Sequence, residues 1–235
     1  MVGSIATIRY GDAFSWLSMV LVDPAYRRAG IGTELVEAGL AVLADAATVR
    51  LDATAFGHGV YLRSGFREEY GLQRMQRAAQ SPTPAELGSR ENLKSTIRAM
   101  NDGEFAEVLK RDRAAFGADR GVLVETFRRE APEYAWVAGE KIDGYVFGRH
   151  GYGYEHIGPL VADDDITARR LVVACVSAHP DRPFIIDVPL RTAWISWLES
   201  IRFNLQRPFV RMCRGEGRFE EQMDRIFAIT GPEFG

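Results

Sequence analysis

The sequence predicts an α/β (α+β) fold built as tandem mixed sheets flanked by helices. Three observations carry this. A short apolar run from Met19 to Val22 stops at Asp23-Pro24, passes through Gly30-Ile31-Gly32, and continues into Leu35, Val36, Leu40 and Leu43 at helical spacing. That order is strand, glycine loop, helix. Strand-like and helix-like segments then alternate along most of the chain. The order of elements after Gly144 also repeats the order after Gly3.

Taken in order, residues 3–10 and 14–22 read as two strands, and Gly11-Asp12 joins them as a hairpin in which Asp12 fills a turn position. The helix after the glycine loop ends near Ala44-Asp45. Val49-Arg50-Leu51-Asp52 is the next strand. It must run parallel to the strand ending at Val22, because a helix crosses between them. A shorter helix covers residues 56–63 and a strand covers 66–76. Residues 77–95, with Ser81-Pro82-Thr83-Pro84 and Gly88-Ser89, break the pattern as a linker. A strand at 96–100 restarts it, and Asn101-Asp102 caps a helix carrying Phe105, Val108, Leu109 and Phe116. Further elements are a helix at 122–129, a hairpin of 134–138 with 144–149, and a strand at 155–161. A helix at 166–178, a strand at 184–188, a helix at 194–200 and a strand at 205–213 complete the set. The tail holds one amphipathic stretch, Phe219, Met223, Ile226 and Phe227, expected to lie back on the body. The expected division is thus a first domain at 1–77, a linker at 78–95, a second domain at 96–214 and a tail at 215–235.

Composition narrows the class. The 235 residues are 46% hydrophobic and 26% charged, as in ordinary globular proteins, and the formal charge is −3. Nothing there calls for nucleic acid or an anionic membrane as partner. Cys175 and Cys213 lack metal-ligand spacing and read as two buried thiols in a reducing compartment, with no metal expected. No apolar run approaches a membrane span and the start lacks a signal-peptide pattern, so a cytoplasmic location is expected.

The internal repeat extends to individual residues. Leu35 and Asp45 are ten apart, as are Leu171 and Asp181; Phe66 precedes Met75 by nine, as Phe203 precedes Met212. The strand ending at Asp52 corresponds to the one ending at Asp187, and Leu72-Gln73-Arg74 recurs as Leu205-Gln206-Arg207.

The glycine loop is the most informative stretch. Glycine lets the backbone turn tightly and lets a ligand approach without meeting a Cβ. The first turn of the helix leaves N–H groups pointing into the loop, and Arg27 and Arg28 add positive charge, so the stretch forms an anion cradle. A dinucleotide fingerprint needs glycine where Leu35 stands. A P-loop needs Gly-Lys-Ser/Thr, but Gly32 is followed by Thr33-Glu34. The spacing that fits is Arg27-x-x-Gly30-x-Gly32, with Tyr61-Leu62-Arg63-Ser64-Gly65-Phe66 downstream. These two motifs, in this order and at this separation, resemble the acetyl-CoA pyrophosphate loop and the Tyr-x-x-x-Gly-Phe motif of the GNAT superfamily of N-acetyltransferases.

The resemblance implies a two-copy GNAT-like chain that uses acetyl-CoA to acetylate an amine, with a small molecule as the expected acceptor. It places the cofactor on Met19, Val20, Leu21 and Val22, whose backbone would face the pantetheine and offer one N–H to the thioester oxygen. Arg27, Arg28, Ala29, Gly30, Ile31, Gly32 and Thr33 would surround the pyrophosphate. Tyr61 takes the family position of the acid that protonates the departing sulfur; the competing reading is a packed aromatic on a short helix. Asp52 and His58 compete for the role of base, and each also has a structural reading. The second copy is degenerate: Ala162-Asp163-Asp164-Asp165-Ile166-Thr167 stands where the loop should be, Arg202-Phe203 replaces Gly65-Phe66, and Trp197 stands near the place of Tyr61. Three carboxylates suit a helix N-terminus but repel pyrophosphate, so this copy is expected to bind no CoA and to help shape an acceptor pocket. Tyr145, Phe147, Tyr152 and Tyr154 are candidates to line it.

The alternative function is a non-catalytic acyl-CoA-binding or sensory protein on the same scaffold. One more expectation comes from comparing the copies. The second opens with about 50 residues of strand, two helices and strand before Gly144, to which the first has no counterpart. The first copy is therefore expected to be N-terminally incomplete, with an unpaired edge at residues 5–10 through which the chain could form a homo-oligomer.

Overall fold

The computed structural model describes residues 1–79, 96–217 and 220–235. Most of the expected linker, and Phe219 of the tail, lie outside the described residues. The chain forms two compact units: the first is Met1–Leu72, Pro208–Phe219 and Pro232–Gly235, and the second is Gln73–Arg207 and Glu220–Gly231.

The first unit opens with the antiparallel hairpin of β1 (Gly3–Tyr10) and β2 (Phe14–Val22). Asp23 caps a single 3₁₀ turn at Pro24–Tyr26 by accepting the Ala25 N–H at 2.8 Å. Then come α1 (Ile31–Val42), β3 (Thr48–Ala53), α2 (Ala55–Arg63) and β4 (Arg67–Arg77). As the crossover requires, β2 and β3 run parallel.

The second unit takes β4 from Gln73 onward and continues with β5 (Ile97–Ala99), α3 (Phe105–Phe116) and α4 (Gly121–Glu130). The reciprocal capping box of Asn101 and Glu104 precedes α3. After these come β6 (Trp136–Ala138), β7 (Gly144–Arg149), β8 (Glu155–Ala162), α5 (Asp165–Ala178), β9 (Phe184–Pro189), α6 (Thr192–Ser200), β10 (Asn204–Gly215) and β11 (Ile226–Ala228).

Strand order explains the division. In the first unit it is β1-β2-β3-β10-β4, and in the second β4-β9-β8-β7-β6-β5, with β11 beside β8. The later part of β10 pairs antiparallel with β3, from Val210↔Ala53 to Gly215↔Thr48. The boundaries expected at 77 and 214 differ from the compact units because β4 and β10 each begin in one unit and end in the other. Composition along the chain carries no trace of such an exchange.

Strand alternation then sorts the faces of the first unit. Leu17, Val49, Leu51, Ala53 and Met212 join Val36, Tyr61 and Phe66 in an apolar cluster under the helices. The alternate residues Asp52 and Arg211 face the other way and are register partners, both with fully buried side chains. Arg211 Nε and Nη2 donate to the two Asp52 oxygens at 2.6 and 2.9 Å, and Nη1 donates to the Tyr70 hydroxyl at 3.0 Å. The guanidinium lies 4.6 Å from the centre of the Trp16 ring. The second unit repeats the device: Arg74 Nε and Nη2 reach Asp187 at 2.8 and 2.7 Å, with His156 Nε2 at 3.0 Å.

These pairs correct one detail of the repeat. Arg74 stands eight residues after Phe66, and Arg211 stands eight after Phe203. Arg211, not Arg207, is therefore the counterpart of Arg74, and the recurrence of Leu-Gln-Arg is out of register.

Two predictions follow from the buried pairs. Arg211→Met leaves the Asp52 carboxylate buried without its main partner and should cost about 3–5 kcal/mol in urea unfolding, whereas Arg211→Met with Asp52→Leu should recover most of it. On the acid side, burial and the nearby Arg149 pull the His156 pKa down. Burial alone would raise Asp187, but hydrogen bonds from Arg74 and His156 outweigh it and hold its carboxyl below the usual range. Both pKa values are depressed in the fold, so the unfolded chain binds these protons first. The His156 contribution is complete above about pH 6.5 and is lost below it; that of Asp187 is lost below about pH 4. Unfolding free energy should fall as pH drops from about 7 to about 5, and His156→Phe should flatten that slope.

Candidate active site

The site of the first unit begins where two strands part. β2 pairs with β3 only at Ser15↔Val49 and Trp16↔Arg50. On its other side β2 carries a bulge: Ser4 pairs with Leu21 and Ala6 with Ser18, so Ile5 opposes both Met19 and Val20. Met19 takes a left-handed φ of 53° and its carbonyl accepts from the Ser4 hydroxyl at 3.2 Å. Beyond the parting, Met19 and Leu21 are exposed, while Val20 packs on the apolar cluster and Val22 is half-buried.

The loop that follows is open to solvent from Asp23 to Gly30. Arg28 and Gly30 both have left-handed backbones, with φ of 67° and 87°. Gly30 is the N-cap of α1, and its carbonyl accepts from the Thr33 and Glu34 N–H groups at 2.9 and 3.1 Å. The Ile31 and Gly32 N–H groups, at the first two helical positions, have no intrahelical acceptor. A Cβ added at Gly30 would meet nothing nearer than Glu34 Oε1 at 4.0 Å, and one at Gly32 nothing nearer than Val22 at 3.8 Å. Space beside these amides, a helix N-terminus and the Arg28 guanidinium together suit a pyrophosphate. The residues present therefore fit the phosphate end of CoA.

Tyr61 lies on α2 with its ring 5.9 Å from that of Phe66, edge-on, and is 9% exposed. Burial pushes its phenol up to about 12. A Cβ at Gly57 would come within 2.9 Å of the Tyr61 ring, so a glycine one turn earlier gives the ring its place.

The candidate bases fare differently from the expectation. Asp52 has both oxygens in the ion pair with Arg211 and no exposed side-chain surface, which makes it an anchor between β3 and β10 rather than a group placed to accept an amine proton. Sequence spacing could not show this, because its partner stands 159 residues away. His58 Nε2 lies 2.6 Å from Glu68 Oε1 near the surface. Of the four aromatics proposed as a pocket, Tyr145 and Phe147 lie against each other, 5.7 Å between ring centres, and are fully buried in the second unit, while Tyr152 is fully exposed. Tyr145 instead donates to Asp112 at 2.5 Å, and Asp112 also takes two bonds from Arg120 at 2.9 Å.

In the second unit the matching place is built over. β8 and β9 run parallel from Glu155↔Phe184 to Ile157↔Ile186, and a bulge follows in which Phe147 opposes Gly158 and Pro159. There β11 enters, pairing with β8 at Ile226↔Val161 and Ala228↔Leu160, while the Ile229 N–H donates to the Asp187 carbonyl at 2.9 Å. Gly158 permits this approach, since a Cβ there would lie 2.1 Å from the Ile229 carbonyl oxygen. The three carboxylates are also committed. Asp163 pairs with Arg111 and Arg225, Asp164 caps α5 through the Thr167 N–H at 2.7 Å, and Asp165 pairs with Arg169. Arg202 holds a left-handed φ of 68°, matching Gly65 at 84°, so the turn survives the loss of its glycine.

Parallel strands that part ahead of a helix N-terminus, open in the first unit and filled in the second, define a two-copy acyltransferase type of architecture. The chain belongs to the GNAT acetyltransferase family: one model of the acetyltransferase (GNAT) domain matches residues 108–228, more than half of the chain, and another matches residues 1–68. It is similar to YitH, an uncharacterised N-acetyltransferase of Bacillus subtilis strain 168, with 24% identity over 178 residues. That match covers 74% of this chain, and the chain spans 60% of the relative's length. Among solved structures, a provisionally assigned acetyltransferase from Pyrococcus horikoshii superposes with a TM-score of 0.79 at 25% identity, over 100% of this chain and 76% of that one. A GCN5-related N-acetyltransferase from Sphaerobacter thermophilus shares the fold, with a TM-score of 0.69 at 18% identity over 92% and 78% of the two chains.

The 235-residue chain should bind one CoA, and Gly30→Asp should bind none. The aspartate would put a side chain and a negative charge beside the amides expected to meet phosphate, and its strained left-handed backbone should lower stability by only about 1–2 kcal/mol. Calorimetric stoichiometry on both proteins checks this; two CoA per wild-type chain would contradict the account of the second unit.

Proposed function

We propose that the chain is an acetyl-CoA-dependent N-acetyltransferase acting on a small amine. The observation that carries this reading is the open parting of β2 and β3 leading directly into the Gly30 helix cap. When bound, acetyl-CoA supplies an acyl thioester activated toward attack by an amine. Residues 27–33 hold the phosphates through loop amides and arginine charge. Residues 19–22 lie along the parting and offer backbone to the pantetheine. A backbone N–H aimed at the developing oxyanion is worth on the order of 10²–10³ in rate.

Tyr61 keeps its proton at the phenolic oxygen at neutral pH, with a pKa near 12, and is available to give it to a departing thiolate. With Asp52 committed to Arg211, the amine loses its proton to solvent or through His58. The second unit, with β11 paired to β8 at the matching place, holds no cofactor. The alternative, an acyl-CoA-binding sensor without turnover, draws on the same commitment of Asp52.

Cys175 and Cys213 are free and buried, which supports a reducing, cytoplasmic setting. Among the described residues, no helix is long and apolar enough to cross a membrane. β1 is the terminal strand of the first unit's order, and a second copy pairing along it would give the homo-oligomer.

Tyr61→Phe should lower kcat by about 10²-fold with CoA affinity little changed, measured as free thiol released across an amine panel. In the wild type, the alkaline side of the kcat profile should show no loss from this phenol below about pH 10, because its pKa is raised. A Phe variant with full kcat while chemistry limits turnover would return Tyr61 to a packing role, and no turnover with any amine would favour the sensor.

A further inference from the structure

Phe56, the second residue of α2, is 75% exposed. A lone exposed phenylalanine is ordinary. This one is tied to the phosphate loop: the Arg27 guanidinium lies over its ring at 5.2 Å from the centroid, and Arg27 Nε donates to the Val22 carbonyl at 3.3 Å. One arginine thus spans the end of β2, the loop and an aromatic face open to water.

We infer that Phe56 is the platform on which the adenine ring of CoA stacks, with Arg27 as the hinge between that ring and the phosphates. The inference rests on the acetyl-CoA reading of the loop. With pyrophosphate at residues 28–33 and pantetheine along residues 19–22, the adenosine continues past the pyrophosphate onto the exposed surface of the loop beyond the end of β2. There the loop is exposed, and Phe56 offers an aromatic face already held against it. A purine stacks on such a face whatever its hydrogen-bonding edge, and the interaction exceeds that of an exposed guanidinium on the same ring. Adenine takes the ring face, and Arg27, released from it, turns its charge to the phosphates. Phe56 then selects for the nucleotide end of the cofactor, while the chemistry at the thioester is untouched.

The test is calorimetry on the full chain with three ligands: CoA, dephospho-CoA and 4′-phosphopantetheine, which lacks the adenosine. Phe56→Ala should weaken CoA and dephospho-CoA by about tenfold and leave 4′-phosphopantetheine unchanged, and Phe56→Trp should restore the loss. An exposed side chain at this position makes unfolding of the variant a minor concern, and an unchanged melting temperature checks it. Equal weakening of all three ligands would show that Phe56 merely supports the loop, and unchanged CoA affinity would remove it from the site; either overturns the inference. So would a loss confined to Tyr26→Ala, the other exposed aromatic beside the loop. If the wild type binds none of the three, the cofactor reading itself falls, a result distinct from the others.

Discussion

The structure depends on two buried arginine–aspartate pairs, Arg211 with Asp52 and Arg74 with Asp187. Each joins residues more than a hundred positions apart, and each seats a strand that the other half of the chain began. Taking such charges out of water costs several kcal/mol per ion, and the bidentate bonds offset that only when the geometry is right. What the pairs impose is register. Slipping β10 by one residue would turn Arg211 into the apolar cluster and Met212 out of it. Fixing β10 against β3 in turn fixes the end of β3, the start of α2 and hence the position of Tyr61.

With that frame common to both units, the difference between them lies in how the parted strands are finished. In the first, the bulge at Met19 and Val20 leads to an exposed loop with glycine at the helix cap. In the second, the bulge at Gly158 and Pro159 leads to a helix capped by Asp164, and the chain's own β11 lies in the parting. A strand there satisfies backbone groups that would otherwise need a ligand or water. Both units solve the same hydrogen-bonding problem. One does it permanently and with its own chain, and the other leaves the groups available.

The committed state of Asp52 bears directly on chemistry. A carboxylate at the end of a strand beside a cofactor loop invites the role of base, yet a group with both oxygens bonded to one guanidinium is poorly placed for proton transfer. Tyr61 is in the opposite condition: burial keeps it protonated, and Gly57 leaves room for its ring. The arrangement favours donating a proton over taking one.

Local signals were enough to place most elements. The 3.6 and 2 periodicities, Gly11-Asp12, Asn101 and the glycine loop marked strands, turns and caps, because each depends only on neighbours in the chain. The exposed loop and its glycine helix cap were legible for the same reason, being the consecutive residues 27–33 and one helix terminus. The exchange of β4 and β10, the partner of Asp52, the burial of Tyr145 and Phe147 with Tyr152 left exposed, and the filling of the second parting by β11 were not. Each is a contact between distant segments, and the residues involved carry the same local pattern whichever partner they meet. The sequence by itself determined the strand, glycine loop and helix cap of the first unit; only the tertiary structure decided which carboxylate holds strands together and which unit kept its parting open, since burial and long-range pairing set both.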